Sequence, residues 1–131
     1  MPNDYVLLEE NDRVEMKNQV QEINEVEFEA EVLRCKSPVL VGFLAGWSQP
    51  CRLVEAVLDE VAEICHGKAK VLKVNVDDNP DLGTWYGIQS VPTLNYFING
   101  TVRAKIVGMA SPRAILAKLE SLPQRPSDGQ S

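Results

Sequence analysis

Val39-Leu40-Val41-Gly42-Phe43-Leu44-Ala45-Gly46-Trp47-Ser48-Gln49-Pro50-Cys51-Arg52 is the stretch around which the rest of the chain is arranged. Residues 39–45 are apolar almost without interruption, the pattern of a central strand covered on both faces. From Leu53 onward, Val54, Val57, Leu58, Val61, Ile64 and Cys65 recur with it at helical spacing, while Glu55, Asp59, Glu60 and Glu63 point outward. The residues between therefore lie where a strand hands over to a helix N-terminus, the place where α/β sheets put their ligands. Free backbone N–H groups and the positive end of the helix dipole favour a thiolate at such a place. A Trp-Cys-x-x-Cys there would be a dithiol redox centre. In this chain the first position of that spacing is Ser48, and only Cys51 remains.

Working outward, His66-Gly67 ends the helix and residues 71–76 read as a second buried strand, which completes a βαβ unit with a right-handed crossover. Upstream, residues 20–23 form a short strand. Asn24 with Glu27 makes a capping box, and Ile23 with Phe28 a hydrophobic staple, so a helix begins there. Val26, Ala30 and Leu33 recur on its apolar face, which Phe28 and Val32 extend; Ser37-Pro38 stops it near Cys35. Downstream, Pro80 opens a short helix carrying Leu82, Trp85 and Tyr86 that gives out at Gly87. Residues 94–98 and 101–107 flank Asn99-Gly100, a strong hairpin signal, and are antiparallel. Ser111-Pro112 starts the last helix, with Ile115, Leu116, Leu119 and Leu122 inward. The domain boundaries that result are an N-terminal extension, 1–19, a domain, 20–122, and a tail, 123–131, whose two prolines and lack of large apolar residues predict disorder.

These segments resemble the thioredoxin family. The strand and loop through Trp47-Ser48-Gln49-Pro50-Cys51 are similar to its active-site strand and loop. Val74-Asn75-Val76-Asp77, Asn79-Pro80, Tyr86-Gly87-Ile88, Val91-Pro92-Thr93-Leu94, Phe97, Asn99-Gly100 and Val107-Gly108 recur in the family's order over about residues 20–122. The resemblance implies an α/β thioredoxin-like fold, with a central mixed β-sheet flanked by helices on both faces and a cis-proline at Val91-Pro92. It also implies a groove for an extended polypeptide, made by Trp47, Ser48, Gln49, Pro50, Val91, Pro92, Gly108 and Met109.

Two positions depart from the family where its chemistry resides. Cys51 matches only the second, deeper cysteine of the motif. Serine forms no sulfur–sulfur bond, so exchange within the loop is ruled out. Gly42 stands where the resemblance implies a buried aspartate that helps move the second cysteine's proton. Two function classes follow. One is a redox-inactive or impaired module that binds a protein or peptide through the groove; the other is an oxidoreductase using Cys51 as a single catalytic thiol, resolved by a partner thiol or glutathione. Plain roles for the same residues are a packing cysteine at 51 and a helix-capping serine at 48.

A net charge of −6 sets nucleic acid aside as a partner. Ten acidic against three basic side chains in residues 1–34 give that segment −7, so the acidity is not a property of the loop face. No run is long enough to span a membrane. One histidine and cysteines at 35, 51 and 65 offer neither metal-ligand spacing nor a disulfide framework. The expectation is therefore a cytoplasmic monomer with no metal and no cofactor.

Overall fold

Ser37-Pro38 and Gly46 bound the central strand, and between them Val39–Leu44 is buried at every residue. The computed structural model describes residues 20–123. The extension 1–19, and the tail beyond Pro123, lie outside the described residues. In chain order the elements are β1 (Gln21–Glu22), α1 (Glu25–Phe28, continued as a π-helical turn over Glu29–Leu33), β2 (Val39–Leu44), α2 (Gln49–Ile64), β3 (Lys70–Asn75), α3 (Pro80–Trp85), β4 (Thr93–Ile98), β5 (Thr101–Val107) and α4 (Pro112–Glu120). The sheet order is β1-β3-β2-β4-β5. β1, β3 and β2 run parallel, whereas β4 is antiparallel to β2 and β5 to β4. This is the mixed sheet expected of a thioredoxin-like fold.

Two apolar layers sandwich the sheet. On one face Val54, Leu58, Val61 and Cys65 of α2 and its C-cap meet Leu40, Leu94 and Tyr96, with Ile115 and Leu119 of α4. On the other, Phe28 and Val32 of α1 meet Val41, Phe43, Val74 and Phe97, with Leu82 and Tyr86 packed beside them. The Tyr96 hydroxyl donates to the Ile115 carbonyl at 2.9 Å and ties α4 to the sheet. Asn95, in the same strand, is buried with no hydrogen-bond partner for its Oδ1 among the described residues.

The helix faces are narrower than their sequence patterns imply. In α1 only Phe28 and Val32 reach the core; Ala30 and Leu33 are exposed and Val26 is 89% exposed. The helix touches the sheet along one ridge, where the Phe28 ring lies 5.5 Å from Tyr86 and 5.8 Å from Phe97. Its last turn then widens, with Arg34 N–H donating to the Glu29 carbonyl, which moves Leu33 off that ridge. In α2 the buried stripe is Cys51, Val54, Leu58 and Val61, so Leu53 and Ile64 face outward, contrary to expectation. Ile64 borders an open depression of about 650 Å³ between α2 and α4. Glu55 is not a free outward charge, since it accepts from Lys73 Nζ on β3 at 3.4 Å. In α3 Trp85 is exposed, because Tyr86 fills the space between Phe28, Phe43 and Phe97.

The ends of the elements follow local chemistry. Asn24 and Glu27 form both bonds of the capping box at 3.0 Å. The β4–β5 turn places Asn99 and Gly100 at φ 53° and 82°, the left-handed values a two-residue hairpin turn requires. Gly100 is needed twice over, because a Cβ there would lie 2.7 Å from the Leu33 carbonyl oxygen.

Candidate functional site

The loop leaving β2 is built on hydrogen bonds that use both of its candidate side chains. Ser48 caps α2 from extended backbone, and its Oγ accepts the Cys51 N–H at 3.2 Å. Pro50 falls in the first turn of α2, where its missing N–H costs nothing. Cys51 Sγ in turn lies 3.4 Å from the Ala45 N–H and is 1% exposed. Ser48 is buried as well, whereas Gln49 and Pro50 are exposed on the first turn. Among the described residues no side chain hydrogen-bonds to the serine hydroxyl, and the single histidine, His66, follows the far end of α2, about 25 Å along the helix axis.

The opposite wall comes from the start of β4. Antiparallel pairing of Phe43 with Thr93 brings the chain entering β4 up beside the chain leaving β2. The Val91-Pro92 peptide bond is cis. The Pro92 carbonyl accepts the Gly108 N–H at 2.8 Å, and Thr93 Oγ1 donates to the Ser90 carbonyl at 2.8 Å. Gly108 makes its contact at φ 95°, which leaves the next residue, Met109, half-exposed beside the turn. Between loop and turn lies a cavity of about 400 Å³ lined by Trp47, Val76, Ile88, Gln89, Ser90 and Val91, none of them charged. Trp47 is 72% exposed on its rim.

Of the residues singled out in the sequence, Trp47 and Val91 share this cavity. Ser48 and Cys51 are bonded beneath the loop, and Pro92 and Gly108 to each other. Val76, Ile88, Gln89 and Ser90 were not anticipated as site residues; Val76 and Ile88 stand in stretches that carry the family resemblance, and Gln89 and Ser90 have only their adjacency to the Val-Pro pair. Gly42 lies under the same loop with no room for a side chain. A Cβ there would lie 2.8 Å from Leu58 Cδ1 and 3.3 Å from Leu94 Cδ2, so leucines fill the space a carboxylate would need.

The thioredoxin family model matches residues 19–121. A thioredoxin of Pseudomonas aeruginosa is 40% identical over 106 residues, covering 81% of this chain and 98% of that protein. The chain belongs to the thioredoxin family. Thioredoxin 1 of a Nostoc species is 44% identical over 97 residues, 74% of this chain and 90% of that protein. The chloroplastic M-type thioredoxin of Pisum sativum is 39% identical over 114 residues, 87% of this chain and 64% of that protein.

Cys35, Cys51 and Cys65 are all free thiols. Burial pushes the Cys65 thiol above its ordinary range, against a smaller opposing pull from its own backbone N–H and from Lys68. Among the described residues no cluster of His, Cys, Asp and Glu could hold a metal ion, and no helix is long and apolar enough to cross a membrane.

Proposed function

We propose that this thioredoxin-family protein holds an extended polypeptide in the groove between Trp47 and the Val91-Pro92 turn and carries out no dithiol exchange. The observation that carries the reading is the Ser48 Oγ–Cys51 N–H bond. It puts an oxygen, engaged in capping α2, where exchange needs a second sulfur. The groove around it supports binding: an uncharged cavity with an exposed indole on its rim suits an apolar extended segment. The partner is a protein or peptide, a thiol protein among the candidates, and neither nucleic acid nor membrane. Three free thiols suit a reducing cytoplasm, and the protein acts there as a monomer.

The competing reading is a monothiol oxidoreductase in which Cys51 attacks a partner's disulfide. The thioredoxin names of the relatives favour it; the burial of Sγ beneath Ala45 opposes it. Insulin reduction with dithiothreitol as electron source separates the two. The unmodified chain is expected to be silent and Ser48→Cys active; activity in the unmodified chain overturns the proposal. Calorimetric titration with a reduced, alkylated insulin chain tests binding itself, and Trp47→Ala is expected to weaken it at least about tenfold.

A further inference from the structure

Ile64 of α2 and Leu116 of α4 both border the depression between the two helices and leave apolar surface open there, Ile64 at 55% exposure. On α4 the row Arg113, Leu116, Ala117 and Glu120 has the i, i+3, i+4, i+7 spacing of a packing face, beside the buried row of Ile115 and Leu119. A second hollow of about 270 Å³ shares Ile64, Leu116 and Glu120 with the first and carries it on to Cys65 and Lys68, past the end of α2. The two make one trough, with Arg113 in its first half and Lys68 in its second. Neither cation is ion-paired among the described residues, whose ion pairs are Arg34–Glu29, Lys70–Glu31 and Lys73–Glu55. The trough shares no lining residue with the cavity beside Trp47.

Two segments outside the described residues join the domain on this side of the sheet. Val20 is buried in the same apolar layer as Cys65 and Leu119, and Leu122 packs against that layer after α4. The tail beyond Pro123 holds no large apolar residue and offers the trough nothing to bury. The extension 1–19 holds one apolar run, Tyr5-Val6-Leu7-Leu8, with Asp4 before it and Glu9-Glu10 after it. Val20 follows Leu8 by twelve positions, a span of about 18 Å as helix and up to about 40 Å extended. A domain of about 100 residues has a radius of gyration of about 13 Å, so the run reaches the trough in either form. We propose that Tyr5-Val6-Leu7-Leu8 packs into the trough between α2 and α4 of its own chain. Ile64 and Leu116 receive its apolar side chains, and the acids at the two ends of the run lie toward Arg113 and Lys68. Glu60 and Glu120, the other charged groups on the trough, face the uncharged middle of the run. A segment seated there clamps α2, whose N-terminus carries Ser48 and Cys51, against α4. This packing stands whether or not the groove beside Trp47 binds a polypeptide.

Methyl-resolved NMR of the whole protein tests the packing. The expected result is nuclear Overhauser cross-peaks from the Tyr5 ring and the Leu7 and Leu8 methyls to the methyls of Ile64 and Leu116, retained when the labelled chain is diluted into an excess of unlabelled chain. Leu7→Ser and Leu8→Ser together should abolish these cross-peaks and shift the Ile64 and Leu116 methyl resonances, while Ile88, on the wall of the other cavity, keeps its own. Both substitutions lie upstream of every element of the sheet and its helices, so the fold is retained. Ile64→Glu, at an exposed position, should shift the Tyr5 ring resonances in turn. Cross-peaks that arise only between labelled and unlabelled chains make the occupant a second copy and overturn the proposal. An absence of cross-peaks in the unmodified protein, or Ile64 and Leu116 resonances that ignore the paired substitution, also overturns it and leaves the trough to a different protein.

Discussion

Gly42→Ala is expected to destabilise the protein by about 1–2 kcal/mol, and the size follows from the space at that position. Gly42 lies in ordinary strand backbone within β2, so conformation alone does not demand glycine. What demands it is Leu58 Cδ1, 2.8 Å from the ideal Cβ, with Leu94 Cδ2 at 3.3 Å behind it. Both leucines are fully buried and packed between sheet and α2, so neither methyl can swing into solvent. Overpacking of this kind costs about 1–3 kcal/mol. A less flexible unfolded chain gives back about 0.4–1 kcal/mol, which leaves the stated balance. Thermal melting of the two proteins should then differ by roughly 5–10 °C, and the urea midpoint should fall with little change in slope. The same contact predicts non-additivity: in a cycle with Leu58→Ala, the double variant should lose less than the sum of the single losses. An alanine as stable as glycine, or strict additivity with Leu58→Ala, would refute the view that leucines fill the space beneath the loop.

Gly100→Ala should lose at least about 2 kcal/mol in urea denaturation, since it combines left-handed backbone with a 2.7 Å approach to the Leu33 carbonyl. Ser48→Ala removes the cap of α2 and should lower stability by about 1 kcal/mol in the same assay. Asn95→Val replaces a buried orphan acceptor with a strand-forming apolar side chain and should raise stability by about 1 kcal/mol. Burial raises the Tyr96 hydroxyl and the Cys65 thiol above their ordinary values, so the folded state resists ionisations that the unfolded chain undergoes. Stability should therefore hold at neutral pH and fall as the pH rises past about 9 to 10, with Tyr96→Phe flattening the fall; an unchanged alkaline slope in that variant would count against the assignment.

Much of this was legible in the residues because local signals agreed with one another. The capping box at Asn24 and Glu27, the Asn99-Gly100 turn and the Ser48 cap each depend on neighbours within a few positions, and each formed as written. The buried run at 39–44 could only be a central strand. What failed was the width of helix faces. Val26, Leu53 and Ile64 fit a 3.6-residue period, but whether a period-compatible residue is covered depends on how closely the next layer approaches, which no single helix encodes. The site divided along the same line. Trp47, Ser48, Cys51 and the Val-Pro pair could be named from one contiguous motif each. The cavity walls at Val76 and residues 88–90, and the meeting of Glu55 with Lys73, come from strand register between segments far apart in sequence.

The antiparallel pairing of β4 with β2 also separates two properties that are usually discussed together. The groove's two walls are brought side by side by a backbone ladder and by the Gly108–Pro92 bond, while the Ser48 and Cys51 side chains hold only the turn on one of them. An exchange of sulfur for oxygen at position 48 leaves that ladder untouched. The spacing of the walls thus follows strand register, and the chemistry of the turn follows its own side chains.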